Sequence, residues 1–250
     1  MNAPILETRN LSVYYNTTQI LNDINLKFYP GFSYALIGPS GEGKSTLLKA
    51  IDGLLNNNAT ITGTILYNGN AIDDFSSLRK KYITYLLQDP KNQFNPVYTI
   101  GKQIARAISY SLDKNDKEYI KELALSSLKE AGLDEDIFNK YPSKLSGGML
   151  QRANIAIALG QRRPVMMLDE PTQGLDPELK DTLIDRLLKD QRDRESTMIY
   201  ITHSLKSAAK ADWIIVLKDM SIVEIGESKA ILSNPKNGYT SSLLEASRYD

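Results

Sequence analysis

A glycine-rich loop lies between an apolar segment and a segment with helical spacing, an order that few folds accommodate. The loop is GPSGEGKST at 38–46, after FSYALI at 32–37 and before TLLKAIDGLL, whose spacing is helical. The continuous apolar run before the loop is typical of a strand that is buried on both faces of a sheet. The loop fits G-x-x-x-x-G-K-[ST], a pattern whose backbone N–H groups cradle phosphates. The sequence therefore predicts an α/β fold with a phosphate site where a buried strand ends.

The residue types in this phosphate loop suit the binding of a nucleoside triphosphate. Glycines let successive N–H groups converge on phosphate oxygens without Cβ clashes. Lys44 can reach the outer phosphates, and the Ser45 hydroxyl can ligate Mg²⁺. The candidate nucleotide-binding residues are Gly38, Pro39, Ser40, Gly41, Glu42, Gly43, Lys44, Ser45 and Thr46. A purely structural glycine turn is the alternative, and the predicted strand and helix on either side argue against it.

An acidic pair follows a second apolar segment. VMML at 165–168 is typical of a buried strand, and it delivers Asp169 and Glu170 to its carboxyl end, where α/β sheets bind ligands. Asp169 suits the outer coordination shell of Mg²⁺. Glu170 can act as a base or orient the water that attacks the γ-phosphate. An isolated acidic pair would be more typical of a helix cap, so this assignment depends on the phosphate loop.

Two further polar residues follow predicted strands. His203, the single histidine, comes after TMIYI, where contact with a γ-phosphate is geometrically natural. Gln88 ends the strand ITYLLQ, and its amide can touch the metal or the attacking water. Spacing alone does not decide between this role for Gln88 and an incidental one. We predict catalytic roles for Glu170, His203 and Gln88, and metal contacts for Ser45, Gln88 and Asp169.

The pattern of elements divides the chain into a core and a helical insertion. The first third is strand-rich, with Asn68-Gly69 as a tight turn signal. Residues 89–160 carry amphipathic helices, one of them with Asp113, Asn115 or Asp116 as its candidate cap and Gly132 as its stop. Strands and helices then alternate again, which predicts a mostly parallel sheet covered on both sides. We therefore expect a core made of residues 1–88 and 161–250, interrupted by a helical subdomain at 89–160.

A second glycine-rich segment, KLSGGMLQR at 144–152, resembles half of a phosphate site. Ser146, Gly147 and Gly148 offer a hydroxyl, unhindered N–H groups and a helix N-terminus, without a lysine or a metal ligand. If two chains meet head to tail, each can place this half-site against the γ-phosphate that the other holds. A plain serine-capped helix start is the alternative, and spacing alone favours it.

Composition excludes several classes of protein. The chain has 250 residues with 30 basic and 30 acidic side chains, a balance atypical of nucleic-acid binders. It has no cysteine, which excludes disulfides and thiolate sites. No apolar run approaches the roughly 18 residues of a membrane span, and no signal peptide is evident, so we expect a cytosolic location. The basic groups at 79–81 and 162–163 are expected to be solvated faces or helix ends.

Taken together, these motifs resemble those of the ATP-binding-cassette (ABC) family over essentially the whole chain. GPSGEGKST is similar to its phosphate loop, VMMLDE to its acidic strand, and LSGGMLQR at 145–152 to its signature segment. The resemblance implies a P-loop NTPase core with a mostly parallel sheet, an N-terminal antiparallel β subdomain and an inserted helical subdomain. It implies a MgATP-hydrolysing dimer in which Tyr15, rather than Tyr14, stacks on adenine. It also implies that Asp176 of Gly174-Leu175-Asp176 communicates across the dimer.

The stretch after Gln88 is similar to that of ATPases of peptide and nickel importers, as is NPKNGYTSSLLEA at 234–246. Gly174 stands where that group usually has alanine or serine, and no cysteine-bearing tail follows. The resemblance implies a subunit that drives uptake of peptide, nickel or metal-chelate, bound peripherally at the cytoplasmic face of the cell membrane. Its expected partners are a second ATPase subunit, membrane permeases and, indirectly, an external substrate-binding protein. A permease helix is expected to dock in a groove lined by Phe94, Asn95, Pro96 and Tyr98; the alternative is that Phe94 and Tyr98 are ordinary core residues.

Other classes of ATPase use similar motifs. A soluble assembly factor or a DNA-maintenance ATPase is the main alternative. Only about a hundred residues separate the two glycine loops, without a sustained heptad, which argues against the long coiled coil of DNA-maintenance ATPases. A small-molecule kinase would have no use for the signature half-site.

Overall fold

The computed structural model describes residues 3–90, 93–112 and 116–246. Its strands are β1 (Leu6–Tyr15), β2 (Thr18–Phe28), β3 (Ser33–Ile37), β4 (Ala59–Tyr67), β5 (Asn70–Ala71), β6 (Ile83–Leu86), β7 (Val165–Asp169), β8 (Thr197–Ile201), β9 (Trp213–Lys218) and β10 (Ser221–Glu227). Its α-helices are α1 (Lys44–Asp52), α2 (Phe75–Lys81), α3 (Ile100–Leu112), α4 (Lys117–Glu130), α5 (Gly147–Gln161), α6 (Pro177–Asp193), α7 (Leu205–Ala208), α8 (Ser228–Ser233) and α9 (Gly238–Ala246). Within the described residues, no helix has the length and apolar character needed to cross a membrane.

The core sheet has the strand order β10-β9-β3-β8-β7-β6, and β10 is its antiparallel edge. Its central strands are apolar on both sides because each face packs on a separate core. Met166 and Leu168 of β7 pack in the core that includes α5 and α6, whereas Val165 and Met167 pack in the one that includes α1. The predicted mostly parallel, doubly covered sheet is confirmed.

The strand-rich first third forms an antiparallel sheet in the order β2-β1-β4-β5. Asn68 and Gly69 join β4 to β5 with φ values of 48° and 78°. Two successive positive φ angles match the twist of a two-residue hairpin, and Asn-Gly adopts them at little cost. The predicted α/β fold with an N-terminal antiparallel sheet and a helical region is therefore the observed one.

Helix α4 begins and ends at the predicted signals. The Asp116 carboxylate caps α4 by accepting from the backbone N–H groups of Glu118 and Tyr119. Asp113 and Asn115, the other candidate caps, lie outside the described residues. Gly132 follows α4 with a φ of +74°, as expected of a helix stop. Gly160 lets α5 approach α3 closely, because a Cβ there would lie 2.6 Å from the Ile108 side chain.

Two expectations differ from the structure. Arg162 is exposed at the end of α5 as expected, but Arg163 is only 9% exposed, and its guanidinium donates to the Ile83 carbonyl. The reason is that Arg163 lies two residues before β7, whose first residue, Val165, pairs with Ile83 at the start of β6. The strand predicted to end at Gln88 ends at Leu86, so Gln88 lies two residues beyond the sheet.

Candidate active site

The phosphate loop has a backbone that only glycine adopts easily at three positions. Gly38, Gly41 and Gly43 have φ values of +147°, +84° and +94°. A Cβ on Gly38 would lie 2.0 Å from the Leu217 carbonyl oxygen, so no side chain fits there. Among the described residues no side chain caps the N-terminus of α1. The N–H groups of its first turn therefore remain available to an anion.

Lys44 is held inside the phosphate loop. Its ammonium donates to the carbonyl oxygens of Gly38 at 2.9 Å and Pro39 at 2.6 Å, and the residue is only 6% exposed. Burial lowers the pKa of Lys44, and the carboxylates of Glu170 and Asp169 oppose that change. A partly desolvated cation is thus aimed into a loop built to receive phosphate.

Ser45 and Asp169 bring two oxygen donors together, although 124 residues separate them in the chain. The Ser45 hydroxyl donates to Asp169 Oδ1 at 3.0 Å, and the Tyr85 hydroxyl donates to Oδ2 at 3.4 Å. Asp169 is 1% exposed, and burial raises the pKa of its carboxyl although the Ser45 hydrogen bond lowers it. A hydroxyl and a carboxylate in contact are suitable ligands for a small hard cation.

Glu170 has a strained backbone and a close histidine partner. Its φ is +50°, a left-handed conformation that costs a side-chain-bearing residue about 1 kcal/mol. His203 Nε2 lies 2.8 Å from Glu170 Oε1. The side-chain amide of Gln88 donates to Gln173 Oε1 at 3.4 Å. Strain of this kind persists only where the surrounding structure imposes it, and it is concentrated at functional sites.

Gln151, like Tyr85, is a residue beside this site that the sequence analysis missed. It is 3% exposed, and its amide donates to the Pro171 carbonyl at 2.6 Å and to the Glu170 carbonyl at 3.4 Å. Gln151 thereby ties α5 to the turn that follows β7. A polar residue on the buried face of α5 is the sequence signal that could have identified it, and Asn154 shares that signal.

Most of the predicted residues line one cleft of about 330 Å³, here called the phosphate cleft. Its lining residues are Tyr15, Ile20, Ser40, Gly41, Gly43, Lys44, Ser45, Thr46, Gln88, Glu170 and His203. Apart from Ile20, each of these is a predicted site residue. Glu42 instead accepts from the backbone N–H of Met220 at 3.3 Å. Tyr15, at the rim near the loop, lies where an aromatic ring could cover a base.

In the part of the chain that the structure describes, the signature segment does not line the phosphate cleft. Ser146 caps α5 by accepting from the Met149 N–H at 3.3 Å, and Ser146 and Gly147 are exposed. Gly148 lies against Leu175, whose side chain would be 3.1 Å from an added Cβ. Next to Leu175, the exposed Asp176 caps α6 by accepting from the Leu179 N–H at 2.9 Å. The signature segment and the loop of Asp176 therefore lie side by side.

A second cleft, of about 560 Å³, opens on the helical region and is here called the lobe cleft. Phe94, Asn95 and Tyr98 line it as predicted; Pro96 is not among its lining residues. Phe94 is 5% exposed and belongs to the core, whereas Tyr98 is 46% exposed. Three basic side chains also line this cleft: Lys102, Arg106 and Arg163.

Comparison with known proteins agrees with the geometry. The family model described as "ABC transporter" matches residues 21–173. The oligopeptide transport ATP-binding protein AmiE of Streptococcus pneumoniae is 37% identical over 256 residues, covering 97% of this chain and 72% of that protein. The phosphate import ATP-binding protein PstB 1 of Streptococcus agalactiae is 36% identical over 261 residues, covering 98% of each.

Two solved structures share the fold. The ATP-binding cassette MJ0796, described as dimeric and bound to ADP and Pi in a post-hydrolysis state, superposes with a TM-score of 0.80 at 27% identity, covering 89% of this chain and 98% of that one. CbiO1 of Clostridium perfringens, described as part of the ABC transporter complex cbiONQ, gives 0.77 at 28% identity, covering 93% and 92%. The chain therefore belongs to the ABC transporter family, and it is an ATPase of that family.

Proposed function

We propose that the phosphate cleft binds MgATP and hydrolyses it. The observation that carries this proposal is the convergence of two pairs, Ser45 with Asp169 and Glu170 with His203, on one glycine loop. Backbone N–H groups of the loop and the Lys44 ammonium neutralise the phosphates. Tyr15 stacks on the adenine.

The residues present fit Mg²⁺. Ser45 Oγ and Asp169 Oδ1 supply hard oxygen donors 3.0 Å apart, and Gln88 lies at the mouth of the same cleft. When bound, the ion polarises the phosphoryl oxygens and neutralises charge that develops on them. Ser45 and Asp169 would hold the ion, and Gln88 would touch it or the attacking water.

Glu170 and His203 act on the water and the γ-phosphate. As the water oxygen bonds to the γ-phosphorus, the bond to the bridging oxygen of ADP breaks, and Glu170 accepts the water proton. His203 Nε2, 2.8 Å from Glu170 Oε1, orients that carboxylate and contacts the γ-phosphate. The Gln151 hydrogen bond to the Pro171 carbonyl keeps the turn in place.

The composite site is completed by a second subunit. The signature segment is exposed and lies away from its own phosphate cleft, which supports a role on the neighbouring nucleotide. In this arrangement Ser146, Gly147 and Gly148 contact the γ-phosphate held by the partner. Asp176, beside them, faces the dimer interface. The dimeric state named for MJ0796 supports the same arrangement.

The ATPase drives an importer whose cargo is peptide. Relatives named as oligopeptide transport proteins support this cargo, among them OppD of Lactococcus lactis at 33% identity over 97% of this chain. Phosphate is a second candidate, favoured by the match to PstB 1 along 98% of both proteins. Nickel or metal-chelate stays a prediction from the sequence. The lobe cleft receives a permease helix at the cytoplasmic face of the membrane.

Nucleotide binding is tested with Lys44→Ala, which removes the cation of the loop. We expect loss of tight ATP binding in isothermal titration calorimetry, whereas Lys121→Ala, exposed on α4, should bind as the wild type does. Retained affinity in Lys44→Ala would contradict the phosphate cradle.

Cargo is tested by uptake in cells that lack this chain. We expect labelled oligopeptide uptake to fall and phosphate and nickel uptake to persist, with rescue by the wild type but not by Lys44→Ala. If only phosphate uptake is lost, the cargo is phosphate rather than peptide. Co-purification in detergent without any integral membrane protein would instead favour a soluble ATPase.

A further inference from the structure

A second polar cavity adjoins the phosphate cleft and is here called the rear pocket. It has a volume of about 150 Å³, and Glu170, Thr172, Lys180, Thr202 and His203 are among the residues that line it. Glu170 and His203 line the phosphate cleft as well. Because Glu170 Oε1 and His203 Nε2 lie 2.8 Å apart, this pair of side chains stands between the two cavities. An ion that passed the pair would move from the phosphate cleft into the rear pocket.

The rear pocket is lined by hydrogen-bond donors that are not engaged elsewhere. Lys180 is half-buried on α6, and its ammonium has no partner among the described residues. Thr172 is 8% exposed, and within the same part of the chain its hydroxyl has no partner either. The buried Thr202 hydroxyl accepts from the backbone N–H of Ser204 at 3.1 Å, which leaves its own proton to be donated. One cation and two buried hydroxyls thus line the same small cavity.

The size and chemistry of the rear pocket fit a phosphate ion. At about 30 Å³ for each water molecule, 150 Å³ is room for roughly five waters, and a phosphate ion has the same number of non-hydrogen atoms. A whole nucleotide is too large. Among the described residues, Glu170 is the only carboxylate in the lining, so the donors face little competing negative charge. Gln173 and Ser204 of the lining are exposed, so the pocket opens to the surface.

In-line attack frees phosphate on the side of Glu170. The attacking water and the leaving oxygen of ADP lie on opposite sides of the γ-phosphorus, so the phosphorus moves away from ADP toward the water as the bond breaks. In the proposed mechanism Glu170 accepts the proton of that water, and Glu170 also lines the rear pocket. The phosphate loop meanwhile holds ADP on the other side. The product phosphate is therefore formed next to the wall of the rear pocket.

We propose that the rear pocket receives the phosphate released by hydrolysis, and that Glu170 and His203 form the gate through which it passes. The inference rests on the proposed hydrolysis at Glu170. In the proposed dimer the partner's signature segment covers the phosphate cleft, so a route past Glu170 lets phosphate leave while ADP stays bound. The His203 side chain is 46% exposed and can turn aside without displacing packed neighbours. Lys180 attracts the anion, and the hydroxyls of Thr172 and Thr202 donate to its oxygens.

The test times the release of phosphate separately from the cleavage of ATP. Rapid quenching after mixing with MgATP measures cleavage, and a fluorescent phosphate-binding protein measures free phosphate over the same interval. Lys180→Gln should leave the cleavage rate unchanged and slow phosphate release about fivefold, the factor expected from losing one partly screened ion contact. Thr172→Val, which keeps the shape of the side chain without its hydroxyl, should also slow release. Lys180→Arg should restore it, and Lys189→Gln, on α6 but outside the rear pocket, should match the wild type.

Inhibition by added inorganic phosphate is a second readout. About fivefold more phosphate should be needed to inhibit ATP turnover in Lys180→Gln than in the wild type, because the pocket has lost its cation. Wild-type phosphate release together with wild-type inhibition would overturn the proposal. Slower cleavage in Lys180→Gln would also overturn it, since Lys180 would then act on the γ-phosphate itself. Weaker dimerisation with unchanged release would mean that a partner's carboxylate, and not phosphate, occupies the rear pocket.

Glu170→Gln distinguishes this inference from the proposed function beneath it. If Glu170→Gln still cleaves ATP at the wild-type rate, the proposed hydrolysis at Glu170 is wrong and the inference falls with it. If Glu170→Gln loses cleavage while Lys180→Gln releases phosphate as the wild type does, only the role of the rear pocket is wrong.

Discussion

At the scale of single residues, the site combines acids in different surroundings. Glu170 is strained, partly accessible and paired with His203. Asp169 is buried but hydrogen-bonded by Ser45. Asp52 is buried without a hydrogen-bond partner for its carboxylate within the described residues, and burial raises its pKa to about 7. The first two environments are consistent with the proposed roles of Glu170 in accepting a proton and of Asp169 in holding a cation.

Glu170→Gln should leave ATP binding intact and lower turnover at least about a hundredfold, because the amide accepts no proton from water. Phosphate release and nucleotide affinity, measured side by side, check this expectation. Unchanged turnover would remove Glu170 from the mechanism.

Asp52 should make stability fall as pH rises. Its ordinary pKa is 3.8 and its folded pKa about 7, so the folded chain holds this proton longer than the unfolded chain. The unfolding free energy therefore declines between about pH 4 and 7, by up to about 4 kcal/mol from this group. The unfolding free energy of Asp52→Asn relative to that of the wild type should be higher at pH 8 than at pH 5, as measured by urea unfolding. Burial also raises the pKa of Asp190, to about 6. Because both proteins contain Asp190, its contribution to the pH dependence cancels in the comparison. If the two proteins differ in unfolding free energy by the same amount at pH 5 and at pH 8, this assignment is wrong.

At the scale of elements, α5 contacts both the loop of Asp176 and the turn that follows β7. Its N-terminus is capped by Ser146, its first turn touches Leu175 through Gly148, and its second turn reaches Pro171 through Gln151. A movement of α5 therefore reaches both the loop of Asp176 and the backbone of Glu170.

Ser146→Asp tests this helix end without losing its cap, since aspartate caps as well as serine does. Its carboxylate should repel a γ-phosphate offered by a second subunit, so turnover should fall more than about tenfold. Nucleotide affinity of the monomer should be unchanged because Ser146 is remote from its own phosphate cleft. Ser146→Asn, a neutral cap, is the matched control. Weakened monomer binding in Ser146→Asp would refute the half-site.

At the scale of the whole molecule, the chain presents two surfaces that we propose to be completed by partners. One is the phosphate cleft with the exposed signature segment, and the other is the lobe cleft with its basic rim. Assembly with a second subunit and with a permease would complete both surfaces.

Trapped MgATP should join two subunits. Glu170→Gln with MgATP is expected to elute in light scattering at twice the 28.0 kDa of the chain. The double variant with Lys44→Ala should stay at the monomer mass because it lacks nucleotide. A monomeric Glu170→Gln complex, with a sibling subunit supplied, would contradict the shared site.

The sequence by itself determined the features that depend on local backbone and on strand ends. The glycines that the phosphate loop needs all lie within nine residues. Asp169, Glu170 and His203 lie at or just after the carboxyl ends of β7 and β8, and because these strands are parallel, their ends meet at one edge of the sheet. Only the tertiary structure decided the burial of Arg163, the positive φ of Glu170, the contact of Gln151 with Pro171 and that of Tyr85 with Asp169. These depend on how segments 20 to 84 residues apart pack together, and side-chain packing across such distances leaves no periodic trace in the sequence.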